Sequence, residues 1–422
     1  MFDRTQWFLA GMSIALSLQL SQPVAAAVPV GKVVQTAQIG SSDAAQAVAA
    51  AKAAAATEAL IKGTQLYQQG TAESLRSAIV KLEEALKLYR EAGDNRGQAL
   101  SLLGLGSIYS ALGEQQKALE YYSQSLPLYR AVGNRHGEAT TLTNIGKVYS
   151  DLGEQQKALE YYSQSLPLFR AVGSRRGEAY TVNNIGKVYS DLGEKQKALE
   201  YYSQSLPLSR ATGDRGGEAM TLNNIGGVYS ELGEQQKALE YYSQSLPLYR
   251  AVGDRSGEAY TLNNIGGVYS ELGEKQKALE YYSQSLPLSR ATGDRGGEAL
   301  TLNNIGTVYS ELGEKQKALE YYSQSLPLFR AVGDRRGEAY TLNNIGGVYS
   351  ELGEKQKTLE YLGRSLPLFR AVGNRSGEAL TLYNIASFKR DQNNLTEALN
   401  DIESSLKIIE NLRTKIASPE LR

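Results

Sequence analysis

A forty-residue unit recurs along most of this chain without slippage. Its first glycine stands at Gly97, Gly137, Gly177, Gly217, Gly257, Gly297, Gly337 and Gly377, so eight units of constant length fill residues 97–416. A constant period of this size marks a repeat architecture. In such an array each unit packs only on its neighbours, and no single closed core is required. The two or three domains that 422 residues would otherwise suggest are replaced by one row of similar surfaces.

The charge balance removes several function classes. Lys plus Arg and Asp plus Glu both number 45, for a formal net charge of zero, without the basic excess or stripe of a nucleic-acid binder. Cysteine is absent, which excludes disulfides, thiolate metal sites and cysteine nucleophiles. The single histidine, His136, falls in a turn between units, where a histidine-based metal site or triad has no partners. No catalytic residues, metal site or cofactor are expected.

Residues 1–27 combine a short start carrying Arg4, an apolar run from Trp7 to Leu20 and a small-residue end at Val24–Ala27. This is the layout of a cleaved export signal, with an uncleaved anchor or a mistaken start codon as alternatives. The apolar run is too short to span a bilayer comfortably. The expectation is an exported protein, periplasmic or extracellular, with no stable membrane insertion after cleavage. Residues 28–56 are Ala/Gln-rich and read as a flexible linker, with helix favoured from about Ala51. Residues 57–96 read as a divergent first repeat, and 417–422 as a C-terminal tail.

Each regular unit holds two amphipathic patterns. Ala139, Leu142, Ile145, Tyr149 and Leu152 follow the three-and-four spacing of one buried stripe, which predicts a helix A over 135–152. Ala158, Tyr161, Tyr162, Ser165, Leu166 and Phe169 form a wider arc, as expected of a helix B that touches both its partner and the next unit. Gly153 and Gly173 are placed to cap the two helices. Connections this short force antiparallel neighbours.

Proline recurs inside helix B at Pro127, Pro167, Pro207, Pro247, Pro287, Pro327 and Pro367. An interior proline costs about 3 kcal/mol in an ordinary helix. At 100° per residue, however, Pro167 and the carbonyl it frees on Ser163 point away from the apolar arc, where water satisfies that carbonyl. A helix that bends at the proline is expected, against one that stops there.

Leu142-x-x-Ile145-Gly146-x-x-Tyr149 followed by Ala158-x-x-x-Tyr162 resembles the tetratricopeptide repeat. The resemblance covers 97–416 and departs from the family pattern in two ways. The period is forty rather than thirty-four, and Gly-Asp-Arg-type turns replace the closing proline. It implies an all-α fold, a right-handed superhelical solenoid of antiparallel hairpins, eight regular and one divergent. The GDRxGEA turns and LNNIGxVYxxLGE bodies are similar to the repeat arrays of cyanobacterial CHAT-domain proteins, and a related forty-residue form occurs in eukaryotic adaptors that bind peptide segments. Ile409–Arg422 is similar to the connector that leads into the caspase-like CHAT domain. The resemblance implies, as an alternative to a stand-alone scaffold, the recognition half of a CHAT-type signalling protease whose catalytic domain is missing or encoded separately, with an effector domain then acting in trans.

In the resembled fold, helix A lines the inner surface. The positions opposite its buried stripe are 140, 144, 147 and 151. They bring Asn144, Asn184, Asn224, Asn264, Asn304, Asn344 and Asn384 into one column, with Asn183, Asn223, Asn263, Asn303 and Asn343 beside them. Primary amides offer donors and acceptors to an extended peptide without demanding a sequence. The same stripe carries Asp151, Asp191, Glu231, Glu271, Glu311 and Glu351 as an acidic rim, with Lys147 and Lys187 near its N-terminal end only. The expected partner is a protein or peptide segment held in this groove, with no nucleic acid. The competing reading is that the amides solvate a helix surface or bond between neighbouring helices. Tyrosine, at 28 residues, is expected in core packing rather than as a stacking platform for bases. Ser123-Gln124-Ser125 and its copies lack the base that would make a nucleophile.

Overall fold

The computed structural model describes residues 41–417, and among them lie eighteen helices and no strand. They fall into two compact units, Phe2–Asp254 and Arg255–Arg422. The first contains α1 (Ser41–Gln69), α2 (Ala72–Ala92), α3 (Asn95–Ala111), α4 (Gln115–Ala131), α5 (Arg135–Asp151), α6 (Gln155–Ala171), α7 (Arg175–Asp191), α8 (Lys195–Ala211), α9 (Arg215–Glu231) and α10 (Gln235–Val252). The second contains α11 (Arg255–Glu271), α12 (Lys275–Ala291), α13 (Arg295–Glu311), α14 (Lys315–Ala331), α15 (Arg335–Glu351), α16 (Lys355–Ala371), α17 (Arg375–Asp391) and α18 (Leu395–Ala417). Odd-numbered helices are the A helices of successive hairpins and even-numbered ones the B helices. Within each unit, a B helix packs on its own A helix and then on the A helix of the next hairpin.

The short turns explain the alternation. Gly153 and Gly173 adopt φ of 79° and 66°, a left-handed conformation that costs glycine nothing and closes the preceding helix. The next A helix starts on a side-chain cap: Asn134 Oδ1 accepts from the Gly137 N–H at 2.9 Å, and Asp294 Oδ1 from that of Gly297 at 2.9 Å. B helices start differently. Glu154 makes no side-chain cap bond and pairs instead with Lys157.

The repeating core is the predicted seam. Ala158, Tyr162, Ile185 and Val188 form one buried cluster, with Leu159, Leu166 and Tyr189 packed at its edge. Gly146 has no room for a side chain, since a Cβ there would lie 2.7 Å from the ring of Tyr162. Burial of such clusters, at about 25 cal/mol per Å² of apolar surface, holds each A–B pair and its successor together. A polar tie recurs beside them: Ser165 Oγ donates to the Ala139 carbonyl at 2.8 Å, as does Ser325 to Ala299. The serines of the Ser-Gln-Ser runs are thus engaged with backbone, Ser123 with the Glu120 carbonyl and buried Ser125 with that of Ala99.

The helices run through the prolines. Pro167 is exposed and α6 continues to Ala171, which rules out a helix that stops there. Three expectations need revision. Leu152 does not belong to the buried stripe; it is the C-cap of α5 and is 46% exposed, because the chain leaves the helix before that side chain turns inward. Helix α1 begins at Ser41, within the stretch 28–56 expected to be a flexible linker. Its alanines favour helix, and tertiary contacts hold it: Ala56 and Leu60 are buried, Lys52 Nζ lies 2.7 Å from Glu91, and Thr57 Oγ1 lies 3.2 Å from the Tyr89 hydroxyl. The divergent first hairpin is therefore longer than 57–96. The expected export signal at 1–27, the linker residues before 41, and 418–422 lie outside the described residues.

Candidate functional site

The inner stripe is built from the A helices. Five of them, α7, α9, α11, α13 and α15, carry two consecutive asparagines that have separate roles. The first of the pair is the more deeply placed: Asn183, Asn223, Asn263 and Asn343 are buried, Asn303 half-buried. The second lies further out, and Asn144, Asn224, Asn264, Asn304, Asn344 and Asn384 are half-buried.

The two positions bond across successive repeats. Asn224 Nδ2 donates to Asn183 Oδ1 at 3.2 Å, Asn304 to Asn263 at 3.2 Å, Asn344 to Asn303 at 3.4 Å and Asn384 to Asn343 at 3.1 Å. The inner amides are therefore not a free peptide-facing surface, and the reading that amides bond between neighbouring helices holds for them. The physical reason is the close stacking of A helices, which would strand a buried amide without a partner. Each bond uses one N–H of the outer amide and leaves its Oδ1 and second N–H for another ligand.

The ladder has an end. Asn184 is buried and its Nδ2 has no partner. The corresponding inner position is Thr143, whose hydroxyl is engaged with Ser165 at 2.6 Å and Thr181 at 3.1 Å. One repeat earlier the inner position is Leu103, which offers Asn144 no acceptor.

The acidic rim is partly neutralised. Asp151, Asp191, Glu231, Glu271, Glu311 and Glu351 are all exposed. Glu231 pairs with Lys195, Glu311 with Lys275 and Glu351 with Lys315, each lysine coming from the preceding repeat. Lys187 Nζ lies 3.1 Å from Asp191 within α7, and Lys147 is half-buried. The continuous acidic edge expected from the sequence is thus broken at the three places where Lys195, Lys275 and Lys315 open a B helix, a position that Gln155 holds in α6.

The position equivalent to 147 sits over a buried tyrosine. Tyr322 OH donates to Thr307 Oγ1 at 3.2 Å, and Tyr122 OH to Ser107 Oγ at 3.1 Å. Burial pushes Tyr322 up to about 12, the Thr307 bond acting in the opposite sense.

Sequence reasoning did not foresee the paired tyrosines. Tyr149 and Tyr161 are half-buried and stack at 5.4 Å with 14° between planes, and Lys157 lies 5.1 Å from the Tyr149 centroid. The same arrangement recurs at Tyr309, Tyr321 and Lys317. Ring faces already covered by another ring and a cation are poor platforms for bases. Spacing alone hides this, because the two tyrosines belong to different helices.

Two cavities among the described residues bear on binding. One, about 600 Å³, lies between α2 and α4 and is lined by Glu83, Lys87, Arg90, Tyr109, Lys117 and Tyr121. The other, about 280 Å³, lies in the second unit beside Tyr260 and Asp294. His136 is half-buried, edge-on to Phe169 at 5.5 Å, and burial lowers its pKa. No group of three or more acidic or histidine side chains among the described residues is placed to hold a metal. No described helix is long and apolar enough to cross a membrane.

The family model described as tetratricopeptide repeat matches residues 72–131, 128–171, 176–251, 219–291, 257–331 and 297–371. The chain belongs to the tetratricopeptide repeat family. No curated protein matches it. Among solved structures it is similar to a Rap protein complexed with Competence and Sporulation Factor, at 15% identity over 87% of this chain and 100% of that one, with a TM-score of 0.62. It is likewise similar to the apo quorum sensor NprR from B. thuringiensis, at 16% identity over 87% and 97%, TM-score 0.60. A third is the Rap conjugation gene regulator of plasmid pLS20 in complex with the Phr* peptide, at 12% identity over 86% and 97%, TM-score 0.57. These identities speak to the fold, a helical solenoid of the tetratricopeptide type.

Proposed function

We propose that this tetratricopeptide repeat protein is a non-catalytic scaffold that holds protein or peptide segments along the surface lined by its A helices. The observation that carries the reading is the row of outer amides. Asn224, Asn304, Asn344 and Asn384 each have one N–H fixed by the previous repeat and a half-buried Oδ1 and N–H left over. Amides held in place in this way meet the backbone of an extended segment at low cost in side-chain entropy. The Rap conjugation gene regulator of plasmid pLS20, a structural neighbour in complex with the Phr* peptide, supports the same class of partner.

Export belongs to this proposal, on the strength of the N-terminal pattern at residues 1–27. Fractionation of the expressing cells and N-terminal sequencing of the mature chain test it, and full-length protein retained in the cytoplasm overturns it.

A second reading, the recognition half of a CHAT-type signalling protein with its effector in trans, is favoured by the last helix. Leu399, Leu406 and Ile409 of α18 are exposed, an apolar face suited to a docked domain.

The test of the main reading is affinity capture followed by mass spectrometry, comparing the natural chain with one in which Asn224, Asn264 and Asn304 are all changed to Ala. Loss of captured segments at unchanged helicity is expected. Equal capture by the two proteins overturns the groove.

A further inference from the structure

Residues 203–219 and 283–299 are the same seventeen residues, SQSLPLSRATGDRGGEA. They differ from the other regular repeats at one buried place. Tyr129, Phe169, Tyr249, Phe329 and Phe369 put an aromatic ring near the B-helix end, and Ser209 and Ser289 stand there instead. Replacing a ring by a hydroxymethyl leaves space that has to be filled from elsewhere or left open.

The first copy is filled. Arg176, from the preceding repeat, donates from Nε to Asp214 Oδ2 at 2.9 Å and from Nη2 to Oδ1 at 3.4 Å. Its guanidinium covers the carboxylate, whose side chain is only 5% exposed. The second copy is open. The residue equivalent to Arg176 is Ser256, too short to reach, and a cavity of about 280 Å³ remains, lined by Tyr260, Asn263, Ser289, Asp294, Leu300 and Phe329. Asp294 keeps its cap bond to the Gly297 N–H at 2.9 Å. No cation pairs with it among the described residues.

We propose that the cavity at Asp294 binds the guanidinium of an arginine side chain presented by a partner polypeptide. The chain itself supplies the template. Around an identical segment, an internal arginine is what the Asp214 site receives. A guanidinium is planar, offers forked donors to a carboxylate and stacks on aromatic faces, and Tyr260 and Phe329 line the open copy. The volume suits one side chain and is small for a whole ligand. Asn263 both lines the cavity and accepts from Asn304 in the amide ladder, so the site adjoins the surface proposed to hold a segment. The polypeptide source rests on that reading; the guanidinium site does not.

Equilibrium dialysis of the full chain against N-acetyl-arginine amide, N-acetyl-lysine amide and free arginine tests the inference. The arginine amide is expected to bind, with the lysine amide at least about tenfold weaker. Ser256→Arg rebuilds the internal guanidinium and should abolish uptake. Arg176→Ser opens the other copy and should double the probe bound at a fixed low concentration. Asp294→Asn keeps a good helix cap, hence the fold, and should weaken binding about tenfold or more. No uptake of the arginine amide, equal uptake of the lysine amide, or uptake unchanged by Ser256→Arg overturns the site. Free arginine binding more tightly than its amide overturns the polypeptide source. Arginine-amide uptake abolished by Ser256→Arg, with capture of protein segments unaffected, keeps the pocket and removes its link to the scaffold.

Discussion

Asn304 donates its side-chain N–H to Asn263 across 3.2 Å, from one repeat to the repeat before it. The acceptor is buried and the donor half-buried, so the bond belongs to the packing of the array as well as to the row of outer amides. A residue that looks like a ligand contact on a single helix is also a joint between two.

The ladder predicts unequal costs. Asn343→Ala removes a buried acceptor and strands the Asn384 N–H, and should lower stability by about 1–3 kcal/mol. Asn184→Ala removes an amide whose Nδ2 has no partner, and should cost clearly less. Urea unfolding of the two variants side by side checks the order; equal losses would mean that the inter-repeat bond contributes nothing.

Glycine in the A helices divides into two kinds. A Cβ at Gly146 would lie 2.7 Å from the Tyr162 ring and 3.1 Å from the Ala158 carbonyl, and Gly146→Ala should destabilise by about 1–3 kcal/mol. A Cβ at Gly347 meets nothing within 4 Å. Gly347→Ala should therefore stabilise, by about 0.5–1 kcal/mol from helix propensity. Thermal melts of both variants give the signs directly.

The buried tyrosines set an alkaline limit. Tyr322 is pushed by burial up to about 12 in the folded chain, against about 10 for an unfolded tyrosine. Between these values the unfolded state holds fewer protons, so stability falls as pH rises from about 10 to about 12, by an amount on the order of 2–3 kcal/mol for this residue. Ellipticity and tyrosinate absorbance followed together should show ionisation of this group coupled to unfolding. Tyr322→Phe should move the alkaline midpoint upward.

Ser325 ties α14 to α13 through the Ala299 carbonyl at 2.8 Å. Ser325→Ala should cost about 1 kcal/mol and leave helicity unchanged at moderate temperature. Hydrogen exchange in α13 and α14 is the sensitive measurement, since local opening responds before the whole unit does.

The period of forty, the capping glycines and the Ala158–Tyr162 seam were readable in the sequence, because each follows from geometry within one hairpin. The division of labour between Asn183 and Asn184 was not. On an isolated helix they differ by 100° of rotation, and only the neighbouring helix decides which is buried. Likewise the pairing of Lys195 with Glu231 joins residues thirty-six positions apart, and no local pattern shows it. The helical state of residues 41–56 was hidden for a third reason. Alanine-rich sequence permits helix without requiring it, and packing against α2 decided the matter. The cavity at Asp294 was visible only as a Ser among aromatics, a signal whose meaning depends on Ser256 in another repeat.

The ties described here span short, fixed intervals: twenty-six residues from Ser325 to Ala299, and forty-one from Asn304 to Asn263. An excision or insertion of forty residues in register therefore leaves each serine-to-carbonyl tie with an equivalent partner, and each amide tie as well where both repeats carry the asparagine pair. Length is for this protein an evolutionary variable almost independent of foldability. Recombination between copies can reset how many sites are displayed, and point changes at places such as Arg176 and Ser256 decide which of them are open.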